Sequence, residues 1–98
     1  MLDKMKQLFE LQGKMKQVKK ELEASSVEVE AAGGQIKMVI GGDQKLKSLT
    51  IAESLISAEN KDRLSRDLLD CFNEAVKKSQ SLAADKMKSV AGINIPGL

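Results

Sequence analysis

The stretch AAGGQIKMVIGGDQKLKSLTI, residues 31–51, decides how this chain folds. It carries two glycine pairs, Gly33-Gly34 and Gly41-Gly42, with QIKMVI between them. Glycine reaches positive φ without steric cost, so glycine pairs beside β-branched runs mark the reversals of an antiparallel sheet. Within the run, Ile36, Met38 and Ile40 point one way while Lys37 and Val39 point the other. That period of two indicates a strand, over 35–40, with one face in a core.

The pattern extends on both sides. Val27, Val29 and Ala31 alternate with Ser26, Glu28 and Glu30, which predicts a first strand with an acidic outer face. After Gly41-Gly42-Asp43, residues 46–51 form a third. Three strands joined by short loops make an antiparallel meander over residues 26–51. In the third strand Lys47 shares a face with Leu49 and Ile51, which predicts an edge strand whose lysine discourages edge-to-edge pairing.

Both flanks have helical spacing. In residues 1–24, Leu8, Leu11, Met15, Val18 and Leu22 recur in alternate steps of three and four, a narrow heptad seam, with Met1, Met5 and Phe9 in a second row. The seam either covers the sheet or pairs with another helix, a second subunit's included. Gly13 costs roughly 1 kcal/mol relative to alanine and marks close packing or a weak point. A second helix is expected over 57–90, with Ser57 or Asn60 at its cap and Glu59 and Asp62 at its positive end. Its buried stripe runs through Leu64, Leu68, Cys71 or Phe72, Ala75, Val76, Ser79, Leu82 or Ala83 and Met87. Gly92 ends it, and a tail over 91–98 contains Pro96-Gly97. The reading is one α+β domain, α-β-β-β-α, with long N- and C-terminal helices.

Geometry constrains the assembly. The second helix would run roughly 50 Å at 1.5 Å per residue, whereas strands of this kind span about 20 Å or less. A compact domain of this length has a radius of gyration near 13 Å. Part of the helix must overhang with Leu82 and Met87 on one face, which predicts a twofold homodimer. The core needs such help, because Phe9 and Phe72 are the only aromatic residues in the 98.

Charge is nearly balanced, 16 basic residues against 14 acidic ones, with a pI near 8.7. The excess sits on the helices: residues 1–24 hold six lysines against four carboxylates, whereas residues 25–56 hold three against four. With no histidine and a single cysteine, the chain offers no His- or Cys-based metal set, no disulfide and no nucleophile–base pair. Cys71 lies among Leu68, Leu69 and Phe72 and reads as a small buried apolar group. GGDQK lacks the G-x-x-x-x-G-K-[ST] spacing of a phosphate loop and leads into a strand. The expectation is a non-enzymatic protein without cofactors. No apolar run approaches the ~20 residues of a membrane span, and the opening segment is charged, which fits a soluble cytoplasmic protein.

What remains is basic helix surface: Lys14, Lys16, Lys19 and Lys20 early, and Lys77, Lys78, Lys86 and Lys88 late. These are either a solvated face interleaved with acids or a set of phosphate contacts whose affinity comes from counterion release. Lysine supplies charge without the base-reading fork of arginine, and the chain lacks Trp and Tyr for base stacking. A nucleic-acid ligand would therefore be duplex held by its backbone. The alternative is a protein-interaction module that docks another helical protein on the Leu8–Leu22 seam.

The chain resembles the YbaB/EbfC family of bacterial nucleoid-associated proteins over nearly its whole length. The similarity rests on the opening MKQLFELQGKMKQVKKEL, on Gly34, Ile36, Val39, Ile40 and Gly41-Gly42, and on LKSLTI with the Leu55-Ile56 pair. It rests most on LLDCFNEAVKKSQSLAADKM, similar to the family's D-L-x-x-A-x-N-x-A pattern followed by K-M, with Phe72 and Cys71 just before Asn73. Gly92 and the closing Ile-Pro-Gly also fit. The resemblance implies an α–β–β–β–α fold, a tweezer-like homodimer, double-stranded DNA binding of low sequence specificity, association with the nucleoid and effects on gene expression. It supplies no residue-level DNA motif, so the eight lysines above are an electrostatic expectation.

Overall fold

In a computed structural model, which describes residues 2–91, helix α1 (Leu2–Ala24) leads into strands β1 (Ser26–Ala31), β2 (Ile36–Gly41) and β3 (Leu46–Ile51). Helix α2 (Lys61–Ala91) follows, and single 3-10 turns at Ala32–Gly34 and Glu53–Leu55 complete the chain. The strands form one antiparallel sheet in the order β1-β2-β3. This is the expected α+β arrangement. The expected tail lies outside the described residues except for Ala91, which belongs to α2.

Alternation in the three strands adds up to an apolar grid on one sheet face. Val27, Ile40 and Leu46 form one row, Val29, Met38 and Leu49 the next, and Ala31, Ile36 and Ile51 the third. The first row needs a β-bulge, because Val39 faces Ser48 but Ile40 faces Leu46, leaving Lys47 as the extra residue. Without the bulge Leu46 would turn to the polar face. The other face carries Glu28, Glu30 and Lys37, with Glu30 and Lys37 directly paired at 3.8 Å.

Helix α2 lies over β1 and β2. Its Cys71 and Ala75 join Val29, Ile36, Met38 and Ile40 in the core, and Ser79, fully buried, donates its hydroxyl to the Gly41 carbonyl at 2.7 Å. Those three helix residues are small and four apart, so the helix axis approaches the branched residues of β2 closely. The β3 column is left partly uncovered: Leu46 and Leu49 are exposed although they share the core face.

The second helix begins at Lys61 rather than near residue 57. Asn60 does sit at its start, its carbonyl accepting from the Leu64 N–H, but its amide donates back to the Leu55 carbonyl at 2.7 Å. Ser57 accepts from the Asn60 N–H, so residues 57–60 are a turn that anchors the helix rather than its first turn.

The helix overhangs as expected. Ser79 marks the end of the sheet, and twelve further residues carry α2 about 18 Å beyond it at 1.5 Å per residue. The molecule is accordingly elongated, with a radius of gyration of 18.5 Å and extents of 67 × 25 × 16 Å. The partner of the overhang is α1 of the same chain, antiparallel to it, with Val18 buried and Met15, Val18 and Leu22 facing Met87. Leu82 and Met87 are therefore half-buried without a second subunit. On the helices of the arm, the most exposed apolar side chains lie instead on the outer part of α1, where Met5, Leu8 and Phe9 are 58, 60 and 68% exposed.

The two glycine pairs serve different ends. Gly33 and Gly34 adopt φ of 66° and 89°, after Ala32 at 53°, and make a left-handed reversal. Gly41 and Gly42 do not; in that turn the positive φ falls on Gln44, at 65°. Gly42 is needed for space, since a Cβ there would lie 2.9 Å from Leu22 Cδ2 and 3.3 Å from the Leu22 backbone. Gly13, by contrast, has open space around it and is a weak point in α1. Gly13→Ala should therefore stabilise the protein by about 0.5–1 kcal/mol, and Gly42→Ala should destabilise it by about 1–3 kcal/mol. Thermal denaturation followed by circular dichroism checks both signs.

Candidate nucleic-acid interface

The overhanging part of α2 and the end of α1 form a two-helix arm that leaves the sheet at its Gly41 end. On α1, Lys19 and Lys20 lie three and four residues after Lys16, so the three fall within about one turn. At about 100° per residue, Lys16 and Lys20 point away from buried Val18. Lys14, four residues before Val18, falls near the packed side, one turn after Glu10. All four are exposed.

On α2 the lysines separate into two groups. Lys77 and Lys78 are exposed near the end of the sheet, each within reach of Glu74 at three or four residues' spacing. Lys86 and Lys88 sit on the overhang, half-buried, beside Met87, which faces Met15, Val18 and Lys19. The structure thus brings Lys16, Lys19, Lys20, Lys86 and Lys88 to one arm and leaves Lys77 and Lys78 at its root. Among the described residues, none of Lys14, Lys16, Lys19, Lys20, Lys77, Lys78 and Lys86 forms an ion pair. Their charges are available to an anion.

Sequence reading misses Lys45. It follows the turn of the β2–β3 hairpin and lines a shallow groove with Lys19, Met15, Leu22 and Met87, in company with Glu23 and Asp43. Lys19 and Lys45 are far apart in sequence and lie in differently patterned elements, so only the folded chain joins them. The two carboxylates of the groove offset its two lysines, which leaves the outer side of α1 as the more positive surface.

Among the described residues no cluster of three or more His, Cys, Asp or Glu is placed to hold a metal ion, and no helix is long and apolar enough to cross a membrane. Cys71 is buried, with its thiol directed at the Val29 carbonyl 3.9 Å away. Burial pushes its pKa up, disfavouring the thiolate.

A two-helix arm on a three-stranded antiparallel sheet covered by one helix is the architecture that carries these lysines, and comparison with known proteins assigns the chain to a family. Residues 1–93 match the sequence profile of the YbaB/EbfC DNA-binding family, and the chain belongs to that family. A nucleoid-associated protein of Syntrophobacter fumaroxidans is 35% identical over 95 residues, covering 96% of this chain and 86% of its own length. Another, from Desulforamulus reducens, is 36% identical over 95 residues, covering 96% and 90%. The crystal structure of an uncharacterized protein from Helicobacter pylori shares the fold, with a TM-score of 0.65, 23% identity and coverage of 86% of this chain and 90% of that one.

The Cys71 geometry has a direct consequence. The thiol should resist an alkylating reagent at pH 8 and react only at the rate of opening, whereas in denaturant it should react fully. Because its folded pKa lies above the unfolded value, its contribution to stability is present below the unfolded pKa and is lost as pH rises through the folded one. Mass spectrometry after timed alkylation checks the first point, and denaturant melts above pH 9 check the second.

Proposed function

We propose that this protein is a non-enzymatic, nucleoid-associated DNA-binding protein that grips the backbone of duplex DNA as a homodimer, with little sequence preference. Membership of a DNA-binding family supports the class of ligand. The observation that carries the mode is the lysine cluster Lys16, Lys19 and Lys20, exposed and without ion pairs on a projecting arm. Lysine contacts neutralise phosphates but read no base edges. An acidic outer sheet face, with Glu28 and Glu30 against Lys37, keeps DNA on the arms. Binding of this kind along the chromosome influences gene expression by occupying it.

The homodimer is supported by the uncovered column of the grid. Leu46 and Leu49 are 42 and 47% exposed beside a packed core, and Leu69 and Phe72 are exposed on α2. An open apolar sheet face of this kind is suited to a second copy across a twofold axis. Dimerisation duplicates the arms and doubles the phosphates within reach.

Fluorescence anisotropy on a random duplex tests the reading. The log of the binding constant should fall with log salt by about 0.9 per phosphate neutralised. Reversing Lys19 and Lys20 to glutamate should weaken binding equally on all sequences and lower that slope by about 2. A flat salt response at micromolar protein would overturn it. Sedimentation should give a dimer that Leu49→Lys converts to monomer.

A second reading, a module that docks a helical protein, is favoured by one feature, the exposure of Leu8 and Leu11 on the outer seam of α1. A stoichiometric protein partner that survives nuclease and high salt would select it over the first.

A further inference from the structure

Lys47 does more than guard an edge. The bulge takes it out of the β2–β3 register, and its ammonium donates to Glu23 O, in the last turn of α1, at 2.9 Å and to Ser25 O, in the linker that follows, at 3.0 Å. Carbonyls of a helix's last turn have no intrahelical donor and carry the negative end of its dipole, so a cation there is bonded and electrostatically favoured. The stem of Lys47 passes over Gly41, where an added Cβ would lie 3.1 Å from Lys47 Cε and would crowd Asp43 Oδ1. Bulge, glycine and lysine together form a clamp between β3 and the root of α1.

The linkage it acts on is short. Only Ser25 separates α1 from β1, and Ser25 itself donates its hydroxyl to Glu21 O at 2.5 Å and its N–H to Leu22 O at 3.3 Å. Little slack exists between helix and sheet, so the exit angle of α1 is decided by its packing on α2 through Val18 and by what holds its last turn. We propose that Lys47 is the positioning residue that sets the angle of α1 against the sheet, and thereby where the arm's lysines lie.

From Leu22 to Lys16, α1 extends about 9 Å at 1.5 Å per residue, so a tilt of about 10° moves the backbone at Lys16 by about 1.5 Å, and the start of the helix, about 30 Å away, by about 5 Å. The shift at Lys16 is about half the rise per phosphate along one DNA strand, about 3.4 Å. The consequence for DNA rests on the function proposed above; the orientation of α1 does not.

Lys47→Met keeps the apolar stem and removes the ammonium, and Lys47→Arg restores charged donors. Residual dipolar couplings should show α1 reoriented or orientationally averaged relative to the sheet in the Met variant and close to native in the Arg variant. DNA affinity of the Met variant should fall about three- to tenfold, as the cost of ordering the arm moves into binding, with an unchanged salt slope. An unchanged α1 orientation in the Met variant overturns the proposal. So does a slope reduced by about 0.9, which would make Lys47 a phosphate contact instead. If wild-type protein fails to bind DNA, the couplings still decide the clamp. Should the Met variant not fold, the lysine ammonium resonances of the wild type decide it: Lys47 should exchange with water more slowly than Lys16, and equal rates overturn the clamp.

Discussion

The packing of Cys71, Ala75 and Ser79 onto Ile36, Met38 and Ile40 is the contact on which the rest of this structure depends. Three small residues on one helical stripe meet three large ones on one strand face, which fixes α2 along the middle of the sheet. A strand of this length ends after about 20 Å, but the helix continues for 31 residues. The surplus cannot be covered by the sheet. The chain resolves it with α1, whose Val18 and Leu22 pack the overhang from the side. The arm is thus a product of mismatched lengths, and its lysines stand away from the sheet for the same reason.

The sheet leaves a second mismatch. One helix spans two strands, so the third column of the apolar grid, Leu46 and Leu49, stays open. A protein with only two aromatic side chains has little large apolar surface to fold over it. A second copy of the same face, as proposed above, would be the economical cover, and it would place two arms on one particle. Core and arm are in this sense complementary: what the monomer leaves unburied is what would bring the lysines together in pairs.

Much of this was legible in the sequence, and the failures have physical causes. Alternation in β2 revealed the core face because Ile36, Met38 and Ile40 obey the period of two without interruption. In β3 the period misled, because Leu46 and Leu49 share a face only through the bulge at Lys47, and a bulge leaves no compositional mark. Glycine pairs announced the turns correctly, but Gly41 and Gly42 are present for close approach rather than for positive φ, a distinction set by Leu22 and Lys47 from distant segments. The overhang followed from helix length alone, whereas its cover by α1 did not, because the heptad seam is silent about which helix it meets. Among the site residues, the Lys16–Lys20 cluster is visible because it is local; Lys45 is not, because it joins Lys19 across the fold.

If the arms hold DNA as proposed, the charge pattern makes their position matter more than their number of lysines. A surplus of two positive charges, spread over helices that also carry carboxylates, gives a weak overall field. Lysines that make no bidentate contacts must each be presented at the right spacing to neutralise a phosphate. On the proposed mode of binding, affinity would depend on how rigidly the sheet holds the helices, and three contacts hold them there: Leu22 against Gly42, Ser79 on Gly41, and Lys47 on the end of α1. All three converge on the turn after β2. The turn between β2 and β3 offers a ligand only the opposed charges of Asp43 and Lys45, yet it is where, on the proposed clamp, the direction of the arm would be set.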